Sequence, residues 1–137
     1  APFDIKVRVP EWATRGAFVT INGRDEAVTA TAGTYLTLSR AWSDDDTVEV
    51  RMPFSFHLDH VVDQPNVASL FWGPVLLAAE EPSARTDWRR VEFDVDDISR
   101  SVAGDPATLR FSVDGVPFKP FYETYGRHSV YLLVAFK

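Results

Sequence analysis

The chain has 137 residues, a formal net charge of −6 and no cysteine. That length suits one domain with a substantial core, while the acidic balance and the lack of a basic stripe argue against nucleic acid, whose binding rests on Lys and Arg neutralising phosphates. Zero cysteines exclude disulfides, thiolate catalysis and Cys-ligated zinc within this chain and leave its compartment open; no run approaches the ~20 apolar residues of a membrane helix, so no membrane partner is expected.

Ten Phe, four Tyr and four Trp, with many Val and Thr, favour strands over helices. Ile5, Val7 and Val9 alternate with charged residues until Pro10, a half-buried strand ended by a residue without an N–H. Ala17 to Ile21 runs into Asn22-Gly23, a tight-turn dipeptide, with Ala27 to Ala30 as the returning strand. Thr34 to Leu38 and Thr47 to Met52 alternate on either side of a polar, turn-rich segment and read as a second hairpin.

After a polar connection, Val67 to Trp72 and Val75 to Ala79 hinge on Gly73-Pro74, and the unbroken apolar run of the second predicts a central strand covered on both faces. Residues 81–107 form the least regular stretch, a long connection broken by a short strand over Val91 to Val95 and a helical turn near Asp96 to Arg100. Leu109 to Val113, the turn Asp114-Gly115, Val116 to Phe118 and a last long strand over Ser129 to Phe136 complete the pattern. The expectation is an all-β chain, residues 1–137 as a single antiparallel, jelly-roll-like β-sandwich of about ten short strands with almost no helix.

Several constellations invite chemistry. His57 and His60, with Asp59 and Asp63, carry metal-ligand chemistry, but residues three apart on an extended chain face opposite ways, so a solvated loop is the simpler reading. Asp44 to Asp46 and Asp94 to Asp97 could offer oxygen ligands to calcium yet lack the spacing of a calcium loop; turns account for them, and neither metal nor cofactor is expected. Glu80, Glu81 and Glu123 raise a two-carboxylate glycosidase reading, and Ser129 beside His128 lacks any nucleophile-elbow context. Exposed aromatics carry more weight, since Trp and Tyr rings can stack on sugar faces: Trp88, Tyr122 and Tyr125 are the sugar-stacking candidates, with Trp42 and Trp72 considered beside them.

The ordered set Phe3, Arg8-Val-Pro10, Trp12, Asn22-Gly23, Tyr35, Arg40, Trp42, Gly73-Pro74, Pro120-Phe-Tyr-Glu123 and Ser129-Val-Tyr131 resembles the β-rich region that follows the catalytic barrel in glycoside hydrolase family 127, the β-L-arabinofuranosidase-like enzymes. The resemblance covers residues 3–53, 67–81 and 108–131 and is weakest over 82–107. It departs where the family commonly has Gly-Asp before the strand Asp46-Thr-Val-Glu-Val50, and Arg-Tyr in place of Arg127-His128.

The resemblance implies a non-catalytic accessory module of a bacterial enzyme, packed against a helical barrel and contributing to a homodimer interface. The family's zinc-bound cysteine nucleophile and catalytic acids belong to that barrel, and none of their motifs occurs here, so no catalytic residue is expected in this chain. Trp12, Trp42, Trp72 and Phe121 are then the interdomain packing candidates. The alternative role is a carbohydrate-binding module for plant-derived glycans.

Overall fold

A computed structural model describes all 137 residues, with fourteen strands, two 3-10 turns and no α-helix. The all-β expectation holds. Two compact units divide the chain at residue 55: Ala1–Ser55 and Phe56–Lys137.

In the first unit, β1 (Pro2–Arg8) pairs antiparallel with β4 (Tyr35–Ala41), while β2 (Phe18–Ile21) sits between β3 (Arg24–Glu26) and β5 (Val48–Arg51). Alternation turns Leu36 and Leu38 of one sheet and Val19 and Ile21 of the other inward, where they join Val9, Ala13 and Ala17 in one apolar cluster. Asn22 (φ 52°) and Gly23 (φ 77°) both occupy the left-handed region, the two-residue geometry that matches strand twist. The chain therefore reverses at once into β3, and residues 27–30, expected to be the return strand, are irregular.

The second hairpin foreseen over residues 34–52 does not form. β4 and β5 go to different sheets, with β1 and β2 as their respective partners. Alternation fixed each strand and its buried face but carried no information about its neighbour.

The second unit is one nine-stranded sheet. It comprises β6 (Phe56–Val61), β7 (Gln64–Trp72), β8 (Val75–Glu80), β9 (Arg89–Phe93), β10 (Ala103–Asp105), β11 (Arg110–Val113), β12 (Val116–Pro120), β13 (His128–Ser129) and β14 (Leu132–Phe136). The segment around His57 and His60, read from sequence as a solvated loop, is thus strand β6, in a hairpin with β7. Gly73 (φ 54°) opens the β7–β8 turn, and Asp114 (φ 51°) with Gly115 (φ 73°) makes the β11–β12 turn. The helical turn expected near residue 98 is the 3-10 turn Ile98–Ser101, whose N–H of Ser99 is capped by Asp97.

β8 is central, as its apolar run foretold, with β7 on one side and β12 on the other. Two features depart from expectation. The last long strand is broken into β13 and β14, the first paired with the end of β8 and the second with the start of β7. β14 also runs parallel to β9, from Leu132 beside Arg89 to Phe136 beside Phe93. The sheet curls into a half-barrel around a core of Leu70, Leu77, Val91, Phe93, Phe111, Phe118 and Leu132, all buried.

Candidate functional site

The buried polar chemistry of the second unit gathers where β7 and β8 part and β13–β14 enters between them. Period-two alternation along β8 points Leu77 and Ala79 inward, and the next residue on that face is Glu81. Arg89 shares the inward face of β9 with Val91 and Phe93, and Ser129 lies opposite Ala79 on β13. Two nearby segments and one 48 residues further on thereby bring a carboxylate, a guanidinium and a hydroxyl to the rim of the core.

Glu81 accepts from Arg89 Nε at 2.9 Å through Oε1 and from Arg89 Nη2 through Oε2, a bidentate fork. Ser129 Oγ donates to Oε1 at 2.9 Å, and Arg85 Nη1 stands 3.7 Å from Oε2. The Glu81 side chain is 4% exposed. The Arg89 hydrogen bonds hold its carboxyl below the ordinary range, outweighing the burial that raises it, with Ser129 and the charges of Arg89 and Arg85 adding to the effect. Arg89 is correspondingly pushed up, chiefly by its bond to Glu81.

These contacts bear on the glycosidase reading. A general acid needs a carboxyl that keeps its proton, and Glu81 is arranged to lose it. Each of the three carboxylates considered has its own cation: Arg89 for Glu81, Lys119 Nζ at 3.0 Å for Glu80, and Arg110 for Glu123. Ser129 gives its hydroxyl to Glu81, while His128 Nδ1 lies 3.1 Å from the Gly126 carbonyl oxygen.

The other polar clusters resolve into local structure. His57 stacks on Phe71 at 5.0 Å, and His60 Nδ1 meets the Pro65 carbonyl oxygen at 2.8 Å. Asp46 accepts from Asn22 Nδ2 (2.8 Å) and from the N–H of Ser43 (2.9 Å); these bonds, that from Asn22 foremost, hold its carboxyl below its usual range. Asp94 accepts from the N–H groups of Asp96 and Asp97. No three metal-ligating side chains converge.

Among the packing candidates, Trp12 and Trp42 are half-buried against the core of the first unit and Trp72 against that of the second. Trp12 meets Phe54 edge-on, Trp42 Nε1 donates to the Phe3 carbonyl at 2.9 Å, and Trp72 lies against Phe56 and Phe111. Phe121, 45% exposed, touches His128 edge-on.

The stacking candidates separate. Tyr125 lines a cleft of about 520 Å³ with Glu80, Glu81, Pro82, Arg89, Pro117 and Arg127. Trp88 lines another of about 310 Å³ with His128, Ser129 and Tyr131. Between them a depression of about 370 Å³ is bordered by Glu81, Arg85, Asp87, Arg127 and His128. Tyr122, though 66% exposed, lines none of the three. Tyr131, Arg127 and Arg89 lie outside the sequence candidates; the strand expected over Val91 to Val95 begins two residues earlier, at Arg89, which puts that guanidinium on its inward face.

Residues 1–54 match the family model of the β-L-arabinofuranosidase GH127 middle domain. Solved structures share the fold of nearly the whole chain. A glycoside hydrolase superposes with a TM-score of 0.69 at 20% identity, covering 98% of this chain and 28% of its own. A GH127 β-L-arabinofuranosidase from Geobacillus stearothermophilus T6 gives 0.66 at 20% identity, with 98% and 27% covered. A GH127 β-arabinofuranosidase gives 0.66 at 19% identity, with 98% and 28% covered. No curated protein sequence matches significantly. The chain thus spans a little over a quarter of the length of the structures it resembles.

Proposed function

We propose that this chain is a non-catalytic accessory β-region of a β-L-arabinofuranosidase-like glycoside hydrolase, beginning in the middle domain and continuing through the β-rich segment that follows a helical catalytic barrel. The observation that carries the reading is the middle-domain match over residues 1–54. The shared fold over 98% of the chain supports extending it to the second unit.

Its chemistry is packing. Trp12, Trp42 and Trp72 are half-buried, and Phe121 is exposed, so each retains some surface that a barrel or a second copy of the chain could cover. The pairing of Glu80, Glu81 and Glu123 with cations supports assigning no catalytic step to these residues. Zinc chemistry, in this reading, belongs to the barrel.

Co-expression with the barrel of a GH127 enzyme tests the assignment. The two pieces should copurify, and Trp12→Ala with Phe121→Ala should weaken the association. The chain alone should release no sugar from an aryl β-L-arabinofuranoside. Hydrolysis by the pure chain, lost on mutation of Glu81 or Glu123, would overturn the non-catalytic role.

A further inference from the structure

The two depressions beside Glu81 and the one that holds Trp88 share walls. Glu81 and Arg127 border both the Tyr125 cleft and the middle depression, and Asp87, His128 and Ser129 border both the middle depression and the Trp88 cleft. They therefore adjoin in series as a shallow groove near the place where the sheet splits, with Tyr125 at one end and Trp88 and Tyr131 at the other. Their individual volumes, about 310 to 520 Å³, fall in the roughly 300–1,000 Å³ range of small-ligand clefts.

The lining has a particular order. Both ends are aromatic: Tyr125, 91% exposed, shares its cleft with Pro82 and Pro117, and Trp88 and Tyr131 meet at 6.0 Å with their planes 62° apart. The middle is polar and offers donors and acceptors together, from Arg127, His128 and Asp87. Two lining carboxylates are matched within the protein, the buried Glu81 by Arg89 and the half-exposed Glu80 by Lys119. With Glu81 and Glu80 matched, Arg85 and Arg127 stand against Asp87, a weak positive excess rather than a strong field, and apolar faces at the ends with mixed hydrogen-bonding groups between them suit a chain of neutral, polyhydroxylated rings.

We propose that this groove binds a short neutral oligosaccharide, with one ring stacked on Tyr125, one in the Trp88–Tyr131 corner, and the intervening hydroxyls bonded by Arg127, His128 and Asp87. The angle between Trp88 and Tyr131 makes a corner that suits a twisted glycan better than a crystalline sheet of parallel chains. Glu81 is a positioning residue: its bonds to Arg89 and Ser129 fix the floor against which Arg127 and His128 are presented.

The test is calorimetric titration of the 137-residue chain with neutral pentose and hexose oligosaccharides of two to five units and with an acidic oligouronide, while tryptophan emission is followed in parallel. Binding should saturate for at least one neutral series, strengthen up to the length that reaches both ends, and perturb the emission of Trp88, an effect that Trp88→Phe removes. Tyr125→Ala and Trp88→Ala should each raise Kd at least about tenfold, whereas Tyr122→Ala, outside the groove, should leave it unchanged. No binding of any neutral series at millimolar ligand, salt-dependent binding of the oligouronide alone, or affinity that survives the Tyr125→Ala/Trp88→Ala double variant would each overturn the proposal. Barrel association is scored separately, so failure here leaves the accessory assignment standing.

Discussion

Glu81→Gln is the most informative single change, because it keeps the shape of the side chain and removes the charge. The new amide can still accept from Ser129 or Arg89, but the Arg89 guanidinium loses its counter-ion. Hydrogen bonds to charged groups contribute about 1.5–3 kcal/mol each, and breaking a buried pair costs about 3–5 kcal/mol. Arg89 is 20% exposed, so water relieves part of that cost, and the expected loss is about 2–3 kcal/mol. Urea unfolding near neutral pH would measure it.

The same carboxylate has a pH signature. Its folded pKa lies below the reference value of 4.5, so between the two values the unfolded chain binds more protons. Its stabilising contribution is complete above that reference and is lost as pH falls through the lowered folded value. The difference in stability between native protein and Glu81→Gln should therefore shrink on acidification. A variant within about 0.5 kcal/mol of the native protein at neutral pH, the ordinary range for surface changes, would refute the view that this pair secures the split in the sheet.

Gly104 has φ +133°, and a Cβ placed there would lie 2.2 Å from the Arg110 carbonyl oxygen, so Gly104→Ala should cost about 2 kcal/mol or more in urea unfolding. Gly23→Ala meets no neighbour and faces backbone strain alone at φ +77°, for a smaller loss of about 1 kcal/mol. Removing the amide with Asn22→Ala should move the Asp46 carboxyl titration, followed by NMR, upward toward its ordinary range. Phe118→Ala empties a fully buried position facing Phe111 and Ala79 and should cost about 3–5 kcal/mol by the same unfolding assay.

Those elements whose information is local were legible in the sequence. Asn22-Gly23, Gly73-Pro74 and Asp114-Gly115 each specify a reversal through the φ preferences of two residues, and all three sit at hairpin turns. Pairing between distant segments was not. Nothing in Thr34–Leu38 or Thr47–Met52 states that their neighbours are β1 and β2, and the polar residues of β6 hid a strand whose partner follows two residues later. The site shows the same division. Glu81 and Ser129 are legible as individual groups, but they stand 48 residues apart, and their common hydrogen bond depends on β13 lying beside β8. In sequence Trp88, Tyr122 and Tyr125 are equivalent exposed aromatics; only the folded arrangement sets the first and last apart from Tyr122.

The parallel ladder between β9 and β14 has a consequence for the order of folding. β9 has no partner except β14, whose Val134 lies 43 positions beyond its neighbour Val91. Hairpins such as β6–β7, β7–β8 and β11–β12 close over a few residues and can form early, whereas β9 must wait while Val91 and Phe93 remain wet. Pulse-labelling hydrogen exchange during refolding should find the amides of residues 89–93 protected last, together with those of residues 132–136. Until that closure the chain exposes two of its most apolar strand faces at once, which makes the interval before β14 docks the time when it is most open to aggregation.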